Sequence, residues 1–506
     1  MGFKGFVCSF ALFLVLAQGQ AFASKANDTL VYASDTEPEN VSPYHNDVRE
    51  GVILAHLAWD DLIYRDPKTG QYLPMLATHW EQVDPLTIDF DIRKGVTFHN
   101  GDPLTADDVV FTFNYVTSPE GKVVTQQNVN WIKSAEKLGD YKVRLHLKQP
   151  FPAALEYLAN ALPIYPAKYF QQVGLAGFAQ KPVGTGPYRI VSVTSGQGVK
   201  LVRNPNYFKD SPQGQPRIGH IEFRVIPDPE TRMAELMTGG VDWIWRVAPD
   251  QAAQLKGIPN VTVESGASMR IGFLSMDAQG TSSPDSPFAK LQVRQAVNYA
   301  INRQAIASQL MGGGSQPLQV ACYPEQFGCD AKAVPGYPYD PAKAKALLKA
   351  AGYPNGFSTE LFAYRDRDVA EAIIGELRAV GIDAKLRYLK YAALRDMQRA
   401  GKVPMALLAW GSFSIADASA STGVYFKGNA DDVAKDPQVI DWLKEADTSM
   451  DPEVRKADYR KALQRIAAQA YWAPLFNYSV NYAFNSDLAF QPYPDELPRF
   501  ALAHWN

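Results

Sequence analysis

Two stretches of this chain constrain its architecture more than anything else in it. Residues 360–364 alternate Leu361 and Ala363 against Phe362 and Tyr364. Val369, Ala370, Ile373, Ile374, Leu377 and Val380 then recur at helical spacing, Gly381 ends the helix, and Ile382, Ala384, Leu386 and Tyr388 alternate again. Residues 221–245 repeat the plan. Ile221, Phe223 and Val225 share a strand face, Asp228-Pro229-Glu230 opens a short helix, Gly239-Gly240 stops it, and 241–245 reads as a strand. A crossover through a helix joins parallel strands. The chain is thus expected to be α/β, with mixed sheets flanked by helices. Asp340-Pro341 predicts another helix start, as N-cap and first residue, with Gly352 ending that helix. Thr105 and Asp108 predict a capping box ahead of Val109 and Phe113.

At 506 residues the chain has room for about three domains of ~100–200 residues each. Its 50 Lys and Arg against 53 Asp and Glu leave no basic excess to hold a phosphate backbone, so no nucleic-acid partner is expected. Lys4, the apolar run 6–17 and Ala21-Phe22-Ala23 form the charge, apolar core and A-x-A order of a secretory signal peptide, residues 1–23. The run is too short to span a bilayer, which takes ~20 residues. Cys8 lies inside the run and lacks the setting of a lipid-bearing cysteine, so an exported, unanchored protein is expected. Cys322 and Cys329 then remain, and an oxidising compartment favours a disulfide between them.

Motifs for covalent chemistry are missing. The chain has no G-x-S-x-G, H-E-x-x-H, Walker loop or dinucleotide-binding glycine pattern. Seven scattered histidines form no i, i+4 pair, and neither a metal nor a cofactor is expected. His99 reads as a hydrogen-bonded turn residue. His45 and His56 carry no mark of a metal site, and Asp60 and Asp61 read as surface or cap residues.

Binding remains. In open α/β sheets ligands sit outside the carboxyl ends of strands. Arg365-Asp366-Arg367 leaves one such end, and Trp410 through Ser412, Phe413 and Asp417 leaves another. One loop offers a guanidinium and the other a carboxylate, the two grips a zwitterion needs. Trp243, Trp245, Trp410, Phe413 and Tyr425 lie beside expected strand ends and are candidate pocket walls. Arg246 is a third candidate cation.

Several motifs carry a resemblance. Leu76-Ala77-Thr78-His79-Trp80 and the run from Ile88 through Phe98-His99-Asn100-Gly101 to Val109 closely resemble the signature of family 5 extracellular solute-binding proteins. Pro182-Val183-Gly184-Thr185-Gly186-Pro187-Tyr188, Val293-Arg294-Gln295-Ala296-Val297 and Tyr339-Asp340-Pro341 are similar to further stretches of that family. The resemblance implies a periplasmic-binding-protein-like, two-lobed clamshell of three domains. One lobe would combine residues 24–60, 185–268 and 485–506 with an extra domain, 61–184; the other would span 269–484. Chain crossings near Met269 and Phe484 would form the hinge.

It also implies a periplasmic, monomeric protein that captures a peptide or peptide-like solute and delivers it to the inner-membrane permease subunits of an ABC importer. Members that bind dipeptides place an Asp-rich loop after a Trp. Here only Asp417 stands in that loop, as partner for a ligand amine, and Arg367 aligns best with their carboxylate-binding Arg. An opine, an oligosaccharide or a nickel chelate are alternative cargoes. A secreted hydrolase is the alternative of a different class, and a chaperone or signalling role on the same fold stays open.

Overall fold

The computed structural model describes residues 23–506 apart from positions 39 and 47. The proposed signal peptide lies outside the described residues.

Ten strands make one sheet: β1 (Thr29–Ser34), β2 (Tyr188–Thr194), β3 (Gly198–Arg203), β4 (His220–Val225), β5 (Trp243–Trp245), β6 (Val261–Met276), β7 (Phe357–Ala363), β8 (Ile382–Tyr388), β9 (Met405–Trp410) and β10 (Trp472–Asn485). Their order is β8-β7-β9-β6-β10-β5-β1-β4-β3-β2. Both expected crossovers form. β7 and β8 are parallel neighbours joined by the helix Arg367–Val380. β4 and β5 both run parallel to β1, which lies between them.

The long strands β6 and β10 carry the sheet from one half to the other. Residues 261–267 of β6 pair with 479–485 of β10, and residues 271–275 pair with 472–477. The register shifts between Ala267 and Ile271, around the crossing expected near Met269. The matching break on β10 lies between Asn477 and Ser479, upstream of Phe484. Phe484 pairs with Trp243 and Thr262, well inside the first half.

A four-stranded antiparallel sheet from residues 77–147 has its own apolar core, built around Phe90, Phe113, Leu145 and Tyr165. The local signals hold. Asp340 caps its helix by accepting from the Lys343 backbone N–H. The Thr105 backbone N–H donates to Asp108 at 2.9 Å. Cys322 and Cys329 are bonded. His99 is held in its turn by Gly184 and Gly186.

Asp60 and Asp61 correct the sequence reading. They are 2% and 8% exposed, neither surface nor cap residues. Asp60 accepts from Thr185 and Tyr207, and burial raises its pKa to about 7 despite those bonds. The chain between the helix Arg49–Ala58 and the four-stranded sheet passes through the interior, so these carboxyls are enclosed whatever their polarity.

Candidate functional site

A cavity of 790 Å³ opens where the sheet changes register. Four strand ends reach it at their carboxyl sides: β1 through Asp35, β5 through Arg246, β7 through Arg365 and Asp366, and β9 through Trp410 and Ser412. This is the placement expected for a ligand crevice in an α/β sheet. The helix Arg49–Ala58, Arg270 and Tyr478 at the register break, and Glu496 from the C-terminal segment complete the charged wall.

Four arginines line the cavity, each beside a carboxylate. Arg270 donates to both oxygens of Glu496, at 3.3 and 3.2 Å, and Arg49 lies 3.7 Å from the same group. Burial alone would raise the Glu496 pKa, but the Arg270 and Arg49 guanidinium groups hold it well below the usual carboxylate range. Arg365 donates to Asp366 at 2.9 Å and lies over the Tyr478 ring at 4.5 Å. Tyr478 donates its hydroxyl proton to the same Asp366. Arg246 lies 4.0 Å from the Trp245 ring centroid, with Glu50 and Asp35 at 3.6 and 3.8 Å. Those two contacts are long, so Arg246 keeps donors for a ligand.

The backbone is strained at the same place. Among the described residues, Arg246, Asp366, Ser412 and Glu496 have φ of 55°, 49°, 53° and 58°, and all four line the cavity. Left-handed conformations of non-glycine residues cost about 1–3 kcal/mol each and persist where their surroundings over-determine them.

Of the residues singled out from sequence, Arg365, Arg246, Trp410 and Ser412 are brought together on the cavity wall. Phe413 lies in the turn Ser412–Ser414 that follows. The others go elsewhere. Arg367 is exposed on its helix and pairs with Glu371 at 2.8 Å. Asp417 is 3% exposed and points into the protein, where Arg455 and Tyr459 donate to it at 2.7 and 3.1 Å. Trp243 is packed among Tyr32, Tyr482 and Phe500. Trp245 donates to Ser34 beneath Arg246. Tyr425 packs on Phe273, Trp410 and Trp472. Alternating hydrophobic pattern places such aromatics on a strand end but does not say which side of the sheet is core.

Arg49, Glu50, Arg270, Tyr478 and Glu496 were missed. Arg270 carried a signal, a charge set between Met269 and Ile271 in the mostly apolar second half of its strand. Glu496 carried none, because it arrives from a distant segment.

The loop after β9 also joins the two halves. Ile415 is fully buried in the core built otherwise from residues 44–183 and Ala420. The Ala416 N–H donates to Glu156 at 3.0 Å, and Arg49 donates to Ser414 at 2.6 Å. From behind, the disulfide loop braces it: Gln326 donates to the Ile415 carbonyl, Phe327 N–H to that of Ala416, and Ala418 N–H to that of Phe327.

Comparison with known proteins agrees with this geometry. The profile of bacterial extracellular solute-binding proteins, family 5 Middle, matches residues 71–432. The chain belongs to that family. It is 28% identical over 487 residues to the glutathione-binding protein GsiB of Shigella dysenteriae, covering 92% of each chain. It is 27% identical to heme-binding protein A of Haemophilus influenzae over 421 residues, 76% of this chain and 75% of that one. In structure it is similar to the periplasmic binding protein DppA of Helicobacter pylori, solved with the peptide STSA, at TM-score 0.78 and 27% identity over 94% of this chain and 98% of that one. This family 5 protein therefore has the two-lobed periplasmic-binding-protein fold and serves ABC transport by binding a solute, not by transforming it.

Proposed function

We propose that the protein captures a peptide or peptide-like solute between its lobes and hands it to the inner-membrane permease of an ABC importer, acting as a periplasmic, unanchored monomer. The observation that carries this reading is the ring of strand ends around the cavity. Cations and carboxylates from both lobes face one space, so a ligand with charged ends and amides between them meets partners on each side. A ligand that touches both lobes favours the closed state over the open one. At 790 Å³ the space is in the upper range for small-molecule sites and larger than a minimal ligand needs. The similarity to proteins named for glutathione binding and solved with a tetrapeptide supports the same reading.

Arg365 and Arg246 are the proposed anchors for ligand carboxylate, with Trp410 as a wall. Native mass spectrometry of the protein purified from its own periplasm tests this. A co-purifying mass that fragments as a peptide is the expected result. An opine, an oligosaccharide or a nickel chelate in the cleft would replace the peptide reading, and turnover of offered peptide would overturn the binding role.

A further inference from the structure

One stretch of the cleft wall is apolar. Val247 and Pro249, just after β5, line it from one half of the sheet. Leu310, Met311 and Val369 line it from the other half, and Val480 of β10 completes it. These residues are neighbours in space. Val247 donates its N–H to the Asn481 carbonyl at 3.2 Å and accepts from the Asn481 side chain at 2.8 Å. A methyl group added at Gly312 would lie 3.6 Å from Pro249, and one added at Gly313 would meet Ser479 and Asn481. The two glycines have φ of 61° and 63°, which brings the chain after Met311 up against both segments. Ile306–Met311 winds as a π-helix, with the Gly312 N–H returning to the Ala307 carbonyl at 3.0 Å. Such turns are rare and recur at functional sites. This one leaves Leu310 37% exposed on the cavity wall.

The polar groups set among these residues are already engaged. Ser479 donates to the Gly266 carbonyl at 3.3 Å, and Asn481 accepts from Ser265 at 2.7 Å besides donating to Val247. The Ala248 carbonyl takes the Ala252 N–H at 2.8 Å. A polar group of the solute placed here would give up water with no bond in return, whereas an apolar one gains by leaving water. Charges stand beside this stretch. Arg246 precedes Val247, and Arg365 lies four residues before Val369, so the two proposed carboxylate anchors flank it. Asp366 is spent on Arg365 and Tyr478. Asp368 also lines the cavity, exposed in the first turn of the helix Arg367–Val380, where it repels an acidic side chain and makes a basic one the competing occupant.

We propose that Val247, Pro249, Leu310, Met311, Val369 and Val480 form an apolar subsite beside the carboxylate anchors, which takes an aliphatic or aromatic side chain on the carboxyl-terminal residue of the bound peptide. Met311, unbranched and polarisable, fits side chains of differing shape. This rests on the peptide reading above.

The test offers a random tetrapeptide library to the full protein and reads the captured masses and sequences by native mass spectrometry. Wild type should capture peptides enriched about tenfold at the last position in Leu, Ile, Val, Met or Phe over Asp, Glu, Asn, Gln, Lys or Arg, the size expected for one apolar side chain taken out of water. Aliphatic and aromatic occupants separate within that position. Leu310→Ser should flatten the enrichment, whereas Leu310→Met should preserve it, since the wall stays apolar at nearly the same volume. Melting curves confirm folding, and if Leu310→Ser does not fold, Met311→Ala takes its place. Capture without this preference, enrichment of Lys or Arg, an apolar preference at another position only, or its survival in Leu310→Ser would overturn the subsite and leave the peptide reading standing. Failure of wild type to capture any tetrapeptide would overturn the peptide reading and this subsite with it.

Discussion

The loop after β7 and the loop after β9 leave neighbouring strands at the same edge of the cleft, yet their charges meet opposite fates. Arg365 stays on the wall, packed over Tyr478 and tied to Asp366. Asp417 turns inward and is taken by Arg455 and Tyr459 from the helix Pro452–Ala468. A strand end places a loop at the crevice, but the partner within reach decides where each side chain points. In the first loop the local partners are themselves cleft residues. In the second, the disulfide loop and a buried arginine draw the carboxylate into the lobe and push Ile415 across to the other one.

The largest expected effect breaks this comparison directly. Asp417→Ala strands Arg455 as a buried, unpaired charge and should cost about 3–5 kcal/mol of stability, while ligand affinity of the folded protein stays within about twofold of wild type. Melting and calorimetry on one sample check both. Lost affinity at unchanged stability would return Asp417 to the cleft. Ile415→Ala should cost ~2–4 kcal/mol for its emptied site, and because the contact crosses between lobes, small-angle scattering should show a more open ligand-free form. Arg365→Ala should leave the melting temperature nearly unchanged and weaken binding by about 2 kcal/mol or more; equal affinity in calorimetry would remove it from the site. Opening the Cys322–Cys329 bond with a reductant should cost up to ~2 kcal/mol, as expected for a short loop, and speed ligand release by loosening the brace behind Ile415.

The smallest effect concerns pH. The folded-state pKa of His56 is about 4, below the ordinary 6.5. Between those values the unfolded chain binds a proton that the folded protein does not, so this group lowers stability as pH falls through that window and adds nothing further below it. Urea titrations at pH 7 and pH 5 should show a smaller acid loss for His56→Phe than for wild type.

Much of the fold was legible because its signals are local. Helical spacing between 369 and 380, the Asp340-Pro341 start and the Gly381 stop each depend on residues within one turn of each other. The site was legible only in part. Arg365, Arg246, Trp410 and Ser412 followed from strand ends. Glu496 lies 226 residues from Arg270, its hydrogen-bonding partner, and no periodic pattern links them. Asp60 and Asp61 looked exposed because adjacent acids usually are, and burial overruled the residue type.

By itself the sequence determined the parallel crossovers, the family and the cleft at the carboxyl strand ends, since backbone geometry and side-chain periodicity act over a few residues. Only the tertiary structure decided which charges face the cleft. That choice depends on which buried partner lies within about 3 Å, and such partners come from segments that meet only when the chain is folded.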